Sequence, residues 1–496
     1  MKKINKYIAP KNYFFWILIS VIIKTLIVSF FILQSHHLTP DRMVSKIVVK
    51  QNDYYMFLGP VDTYFASGTM SLHGGVPFAG RMPGYSFPYL LLGSIFNPHI
   101  ALVLLVLMQI LLDAISVYIL ARIALILLKQ EKYFYITFFL FAISAYTSIF
   151  DIFTLSESFS VSAFIFYLYF LFKAFVSNTK INLILSGFFL AWAIFLRPFL
   201  GLSIVVIPLL IFLHYFKEQN FKIAFIHAAL FIISFGIFET AWIARNYKAL
   251  HEFVPLETPL SESYEKYGSY RPSAIAIRQM ICTWGGESGE FYDNSDAWWF
   301  HYAKGSEINR YQFSPSVFRA DFNKDSLLRL KTLFNEGADN TISDAKKDSF
   351  NLLAEQTAIR FKESYSQENK FRVYFITPFI RIQKLIFSNP SLLMPLPKFS
   401  EMKIYEKLIK LFYVGLYFIV VLGGIFGAII MFLKRVYKTQ WIILISIPLI
   451  IVFTIIFNST FVIENRYFLC GYPVCILFLM YLLSVISNQK KTHEIS

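Results

Sequence analysis

The chain has 496 residues, of which 56% are hydrophobic, 19% aromatic and only 16% charged, with a mean hydropathy of +0.54. Soluble domains carry roughly 25% charged residues, so this composition excludes an ordinary soluble enzyme and demands a lipid solvent for long apolar runs. The formal charge of +15 does not mark a nucleic-acid binder, because Lys and Arg are scattered between apolar spans, where cationic ends facing anionic lipid account for them.

In chain order, the N-terminus MKKINKYIAPKNYFFWILISVIIKTLIVSFFIL is basic and then apolar. It is too long for a signal peptide and has no small-residue cleavage site, so 13–33 is read as a retained first span. A loop over 34–98 follows, in which Tyr85–Phe96 is apolar but too short to cross, and is expected to dip into the membrane or lie along it. Further spans are expected at 99–128, 133–150, 158–176, 182–196, 199–216, 222–243, 408–433, 440–457 and 467–487. The fold class is therefore an all-α polytopic membrane protein with about ten transmembrane helices and a re-entrant or interfacial helix in the first loop. No G-x-G-x-x-G or Walker sequence occurs, and nothing suggests a sheet. Residues 1–250 form an N-terminal transmembrane module, 251–404 a more polar and mostly helical outside subdomain, and 405–496 the C-terminal transmembrane helices. The subdomain ends in KFRVYFITPFIRIQKLIF, where Lys370, Arg372, Arg381 and Lys384 among aromatics suit a helix lying in the interface.

Orientation follows from the short basic connections. Lys2, Lys3, Lys6 and Lys11, then Lys129 and Lys132, Lys180, Lys217 and Lys222, Lys434, Arg435 and Lys438, and finally Lys490 and Lys491 all fall on one side. That side is cytoplasmic, with both termini inside, although Arg42, Lys46 and Lys50 in the first outside loop pull the other way. The remaining polar residues at span ends then collect at the outer face: Asp53, Asp62 and Arg81, Asp151 and Glu157, Arg197, Arg245, Glu464 and Arg466. Singly, each marks where a helix reaches water. Together, they suit an anionic lipid-anchored substrate, because a guanidinium grips phosphate oxygens in a fixed fork and a carboxylate beside it takes a proton from an attacking hydroxyl.

The first outside loop is the most specific stretch. Val61, Phe65, Gly68 and Leu72 repeat at helical spacing, so an amphipathic helix is expected to start at Asp62 and to end at Gly74–Gly75, before Arg81-Met-Pro-Gly-Tyr returns the chain to the bilayer. Helix capping is the plainer role for Asp62. Intramembrane charge is sparse: Lys24, Asp113 and Glu239, of which Lys24 and Asp113 either pair or face a cavity. Cys282, Cys470 and Cys475 imply neither disulfides nor a metal site, and His36, His37 and His73 form no ligand triad. Trp284, Trp298 and Trp299 are candidates for stacking on a sugar ring or for anchoring at the interface.

This loop, read as Asp62, Tyr64, Gly68, Leu72, Gly75 and Arg81-Met82-Pro83-Gly84-Tyr85, resembles the first outside loop of the GT-C superfamily of polyprenyl-phosphate-sugar-dependent glycosyltransferases, which includes protein O-mannosyltransferases and lipid A aminoarabinose transferases. Met82 stands where the family pattern has proline. The likeness continues in order through LSESF with Glu157, Arg197-Pro198, Arg245-Asn246-Tyr247 and ENRYFLCGYP with Glu464, Arg466, Tyr467 and Pro473. It covers residues 50–250 and the final forty or so, about half the chain, and none of the large outside segment.

The resemblance implies a transferase that moves a hexosyl or pentosyl group from a polyprenyl-phosphate donor to a lipid, glycan or protein acceptor by inverting displacement. Asp62 would be the catalytic base and Glu157 a second catalytic acid. Arg197, Arg245 and Arg466 would hold the carrier phosphate, Arg81 would shape the loop, and Asp53, Tyr64, Tyr85 and Glu464 would line the substrate site. Asp53 is the alternative base. No cofactor is expected, and a divalent metal is not indicated, since Asp53 and Asp62 do not form a D-x-D pair. A multi-pass protein of a bacterial plasma (inner) membrane is implied, with the bilayer and no nucleic acid as partner. The alternatives are a lipid-linked glycan flippase or other transporter, a polysaccharide polymerase or ligase, and a non-catalytic subunit that binds a partner through 246–404.

Overall fold

The computed structural model describes residues 12–51, 53–72, 77–218, 220–257, 272–284, 315–319, 322–339, 341–388, 390–436, 438–458 and 463–493. Helix α1 (Tyr13–Leu38) begins at Asn12, whose side chain accepts the Phe15 amide, and exposes Leu18, Ile22, Leu26 and Leu33. That exposed apolar stripe needs lipid around it, because water would charge for each side chain left bare. The first loop carries two short helices, α2 (Gly59–Ser67) and α3 (Ser86–Gly93). Then α4 (Pro98–Leu128) starts with Pro98 at its first position, capped by the Asn97 side chain on the Ile100 amide, and stops at Lys129 in the left-handed region (φ 57°).

After α4 come α5 (Glu131–Ala142) and a second piece, Ala145–Asp151, bent from it by 43°. The hairpin of α6 (Glu157–Ser177) and α7 (Lys180–Leu196) turns at Asn178, also left-handed at φ 51°. Next are α8 (Ser203–Glu218) and α9 (Phe221–Leu250). The C-terminal part holds α14 (Ile404–Leu433), α15 (Thr439–Asn458) and α16 (Gly471–His493). Within the bundle α6 packs on α7 and α4, α7 on α9, and α14 on α16, and their buried side chains form one continuous core.

Among the described residues, eight helices are long and apolar enough to cross a membrane, or nine if the bent pair counts as one span. The chain is thus an all-α multi-pass membrane protein, and among the described residues there is no β-strand beyond isolated bridges. A total of ten requires also counting α7, which has 17 residues. Between the two membrane parts, α10 (Pro272–Trp284), α11 (Lys324–Glu336) and α12 (Asp344–Glu368) pack around a second core of Ile277, Met280, Trp284, Leu330, Phe334 and Phe361. Helix α13 (Thr377–Phe387) follows a π-turn at Arg372–Ile376 and is held by Arg381, which donates to the Ile456 carbonyl at 2.6 Å near the end of α15. Phe371, Tyr374, Phe375 and Phe379 remain exposed along it.

Several expectations change. The first-loop helix does not begin at Asp62 and run to Gly74–Gly75; it begins at Gly59, with Pro60 at its N-terminus, and stops at Gly68, whose φ of +77° only glycine adopts freely. Gly74, Gly75 and His73 lie outside the described residues, as do Trp298 and Trp299. Asp62 does not cap the helix: Leu58 is the cap residue. Arg245 sits inside α9, which extends to Leu250, rather than at its end. Lys24 and Asp113 are fully buried partners at 2.8 Å, and Lys24 also donates to Ser148 Oγ at 2.7 Å in the bent piece after α5. Trp284 is a core residue of this second cluster, with no exposed ring face to offer a sugar.

Candidate functional site

At one end of the bundle the chain gathers charges that are hundreds of residues apart. The backbone of Val49 accepts from and donates to the 152–154 turn (Val49 N to Ile152 O 3.1 Å, Thr154 N to Val49 O 3.3 Å), which brings the first loop against the start of α6. Asp53 and Glu157 thereby meet Arg466, which sits in a 3₁₀ turn at Asn465–Phe468 just before α16. Arg466 Nη2 lies 2.9 Å from Asp53 Oδ2, its Nη1 3.2 Å from Glu157 Oε1 and its Nε 2.5 Å from Glu464 Oε2. Arg197, which ends α7, closes on the same Glu157 oxygen. Three carboxylates against two guanidiniums leave the network one negative charge in excess.

Burial grades its members. The Glu157 side chain is 0% exposed and Arg466 14%, while Asp53 is 44% and Glu464 37% exposed. Glu157 is therefore the buried anchor, and Asp53 and Glu464 form the solvent edge. Burial works against the charge of Arg466, but Glu157, Tyr467, Glu464 and Asp53 together hold its pKa well above the ordinary value. Burial raises the Tyr467 phenol, against the pull of Arg466, Arg197 and Arg81, so Tyr467 links Arg81 electrostatically to the network.

Asp62 stands beside this network in a cage of phenols. Tyr89 donates to Asp62 Oδ1 at 2.8 Å and Tyr54 to Oδ2 at 3.2 Å. Burial first, and then the hydrogen bond and charge of Asp62, push the Tyr89 pKa far up; burial and the Asp62 charge do the same to Tyr54, so both remain donors. Among the described residues no Lys or Arg pairs with Asp62, so its carboxylate is bound only by neutral hydroxyls. Tyr85 spans the gap. It is 1% exposed, donates to Gln109 Oε1 at 2.7 Å, and is raised by burial and then by the charge of Glu157 and by Tyr54. Gln109, in the middle of α4, donates in turn to the carbonyls of Asp151 (2.8 Å) and Phe153 (3.0 Å), fixing the turn that precedes Glu157.

The turn Arg81-Met-Pro-Gly-Tyr is pinned at Gly84. A Cβ there would collide with the Phe195–Leu196 backbone, and the Gly84 carbonyl accepts the Trp192 indole N–H at 3.0 Å. This sets Arg81 beside the end of α7. Arg81 Nη1 pairs with Glu257 Oε1 at 2.9 Å, and its guanidinium lies 5.5 Å from the Phe57 ring centre. Arg81 also stands at a small open cleft whose walls include Met56, Pro60, Met70, Phe78 and Trp242. Arg245 braces that wall: it donates to the Phe78 carbonyl at 2.8 Å and to Asn246 Oδ1 at 2.9 Å, and lies 5.2 Å over the Trp242 ring.

Of the residues singled out in the sequence, Asp53, Glu157, Arg197, Glu464 and Arg466 form one network, with Asp62 and Tyr85 adjoining it and Arg81 at the cleft. Arg245 is spent on backbone carbonyls and not on the network, and Tyr64 is exposed with its ring against Phe65. Tyr54, Tyr89, Gln109 and Glu257 were not anticipated, and Tyr467 was named only within the ENRYFLCGYP likeness. Gln109 alone left a clear signal, since an amide inside a 31-residue apolar helix must find buried partners. Among the described residues no three His, Cys, Asp or Glu side chains are placed to share a metal ion. No protein-family model, curated protein or solved structure matches the chain.

Proposed function

We propose that the chain is a membrane glycosyltransferase that moves a hexosyl or pentosyl group from a polyprenyl-phosphate carrier to a hydroxyl or amine of a lipid, glycan or protein acceptor, on the extracytoplasmic side of a bacterial plasma membrane. The observation that carries the reading is Arg466 drawing together Asp53, Glu157 and Glu464, from segments up to 413 residues apart, next to the separately held carboxylate of Asp62. A bundle of scaffolding helices has no need of such a cluster, because assembling buried charges costs desolvation that apolar contacts avoid. Asp62, Glu157, Glu464 and Arg466 also carry the GT-C resemblance.

In this reading Asp62 takes the proton of the acceptor. The acceptor lone pair then forms the bond to the anomeric carbon opposite the phosphate, the carbon–oxygen bond to phosphate breaks, and its electron pair stays on the phosphate. Inversion follows. The phenols of Tyr54 and Tyr89 orient Asp62 without competing for its charge. The excess negative charge of the Asp53–Glu157–Glu464 network suits the positive charge that grows at the anomeric carbon. Arg466 is engaged by three carboxylates and Arg245 by carbonyl oxygens, and Arg197 is turned onto the buried Glu157, whereas Arg81 meets a partly exposed carboxylate at the cleft, so the carrier phosphate is assigned to Arg81, with the first isoprene unit against the rim formed by Met56, Met70 and Trp242.

The test is transfer from a sugar-charged polyprenyl phosphate by the purified protein. Asp62→Asn should lower turnover about 10²–10⁴-fold, the usual contribution of a general base, while carrier affinity and thermal stability stay near wild type. Full turnover in Asp62→Asn with none in Asp53→Asn would transfer the role to Asp53, the solvent-edge carboxylate of the network. Full turnover in both would end the transferase reading and return the chain to the flippase or polymerase alternatives.

A further inference from the structure

Glu257 is held on Arg81 by a device that reaches back into α9. Leu256 has a φ of +54°, a left-handed conformation that a leucine rarely adopts, and two side chains of α9 clamp it there. Its amide donates to Glu239 Oε1 at 2.7 Å, and its carbonyl accepts the Trp242 indole N–H. The next residue, Glu257, then reaches Arg81 across 176 residues of sequence. The pair is partly open to water, with 33% of the Arg81 and 21% of the Glu257 side chain exposed, so screening keeps it weak.

We propose that Glu257 is an internal stand-in for the phosphate of the carrier, occupying Arg81 until a monophosphate ester with an apolar tail displaces it. The proposal rests on the transferase reading above. Three features support the exchange. A phosphate monoester, the form the carrier takes once its sugar has left, carries more charge than a carboxylate and fits the same guanidinium fork, so it outcompetes Glu257 at one site. Met56, Pro60, Met70 and Phe78 give the small opening beside Arg81 an apolar rim against which the start of a tail can lie. Trp242 both lines that cleft and clamps Leu256, so an occupant that moves its indole loosens the backbone that aims Glu257.

The experiment is a titration of farnesyl monophosphate into the full chain in nanodiscs of zwitterionic lipid. Wild type, Glu257→Gln, Arg81→Gln, the double variant of these two and Glu239→Leu are compared, all checked for a single monodisperse peak and a normal melting temperature. Removing an internal competitor raises apparent affinity by the inverse of the unoccupied fraction, so for a screened pair Glu257→Gln should bind about two- to fivefold tighter. Glu239→Leu, which removes the acceptor of the Leu256 amide, should move the same way. Arg81→Gln should bind at least tenfold more weakly, about the loss of a charged phosphate contact, and the double variant should match it. Inorganic phosphate should not compete, and neither should discs containing phosphatidylglycerol; competition by phosphatidylglycerol would make the site a phospholipid headgroup site and overturn the assignment. Equal affinity in wild type and Glu257→Gln, or unchanged binding in Arg81→Gln, would also overturn it. The two readings fail separately. Sugar transfer with an unchanged Glu257→Gln affinity removes the stand-in, whereas the expected affinities with no transfer remove the transferase.

Discussion

Glu157 shows how a single side chain can organise a site without being available to a substrate. It is fully buried, and two arginines from different helices close on the same oxygen. Left with one arginine, a buried carboxylate loses charge-assisted hydrogen bonds worth about 1.5–3 kcal/mol. Arg466→Gln should therefore lower the melting temperature of the protein. A double-mutant cycle with Glu157→Gln should return a coupling of about 0.5–3 kcal/mol, the range for residues in one network. A coupling near zero in detergent-solubilised protein would mean that Arg466 and Glu157 do not act as a pair. Asp62 differs in kind: its partners are phenols that burial keeps protonated, so it is oriented by neutral donors and not by an opposite charge.

At the next scale, the break between α5 and Ala145–Asp151 gives the bundle its polar interior. Ser148 in the bent piece receives Lys24 from α1, and Lys24 in turn binds Asp113 of α4, so three segments share one buried ion pair. Breaking such a pair leaves a lone buried charge and costs about 3–5 kcal/mol, whereas replacing both members by apolar residues is often neutral. Lys24→Met should thus depress expression and melting temperature sharply, and Lys24→Met with Asp113→Leu should recover most of the loss. If the double variant folds but loses sugar transfer, the pair has a role beyond holding the helices together. The first-loop turn obeys the same economy of contacts: Gly84 lets the backbone of the loop touch the end of α7, which is why Arg81 stands where it does.

For the molecule as a whole, the orientation predicts which segments meet the outside. With the native cysteines replaced, Asp348→Cys on α12 should react with a membrane-impermeant maleimide added to intact cells. Lys434→Cys, between α14 and α15, should react only after the membrane is permeabilised. The reverse pattern would invert the topology and move the charge network to the cytoplasm. Most helices were legible beforehand, because an apolar run of sufficient length has one stable form in lipid, with every backbone hydrogen bond made internally. The kinship of Asp53, Glu157, Arg197, Glu464 and Arg466 was legible as a shared membrane face but not as a network. Helix ends in the first loop were misjudged, since Gly68 and not Gly74–Gly75 met the left-handed turn. Composition and periodicity report what each segment needs from its solvent, and so they fix the spans. They say nothing of which distant groups answer one another. Whether Arg245 faces a substrate or a carbonyl, whether Lys24 is paired, and whether Glu257 covers Arg81 depend on how helices dock and loops fold back, and those contacts exist only once the chain is packed.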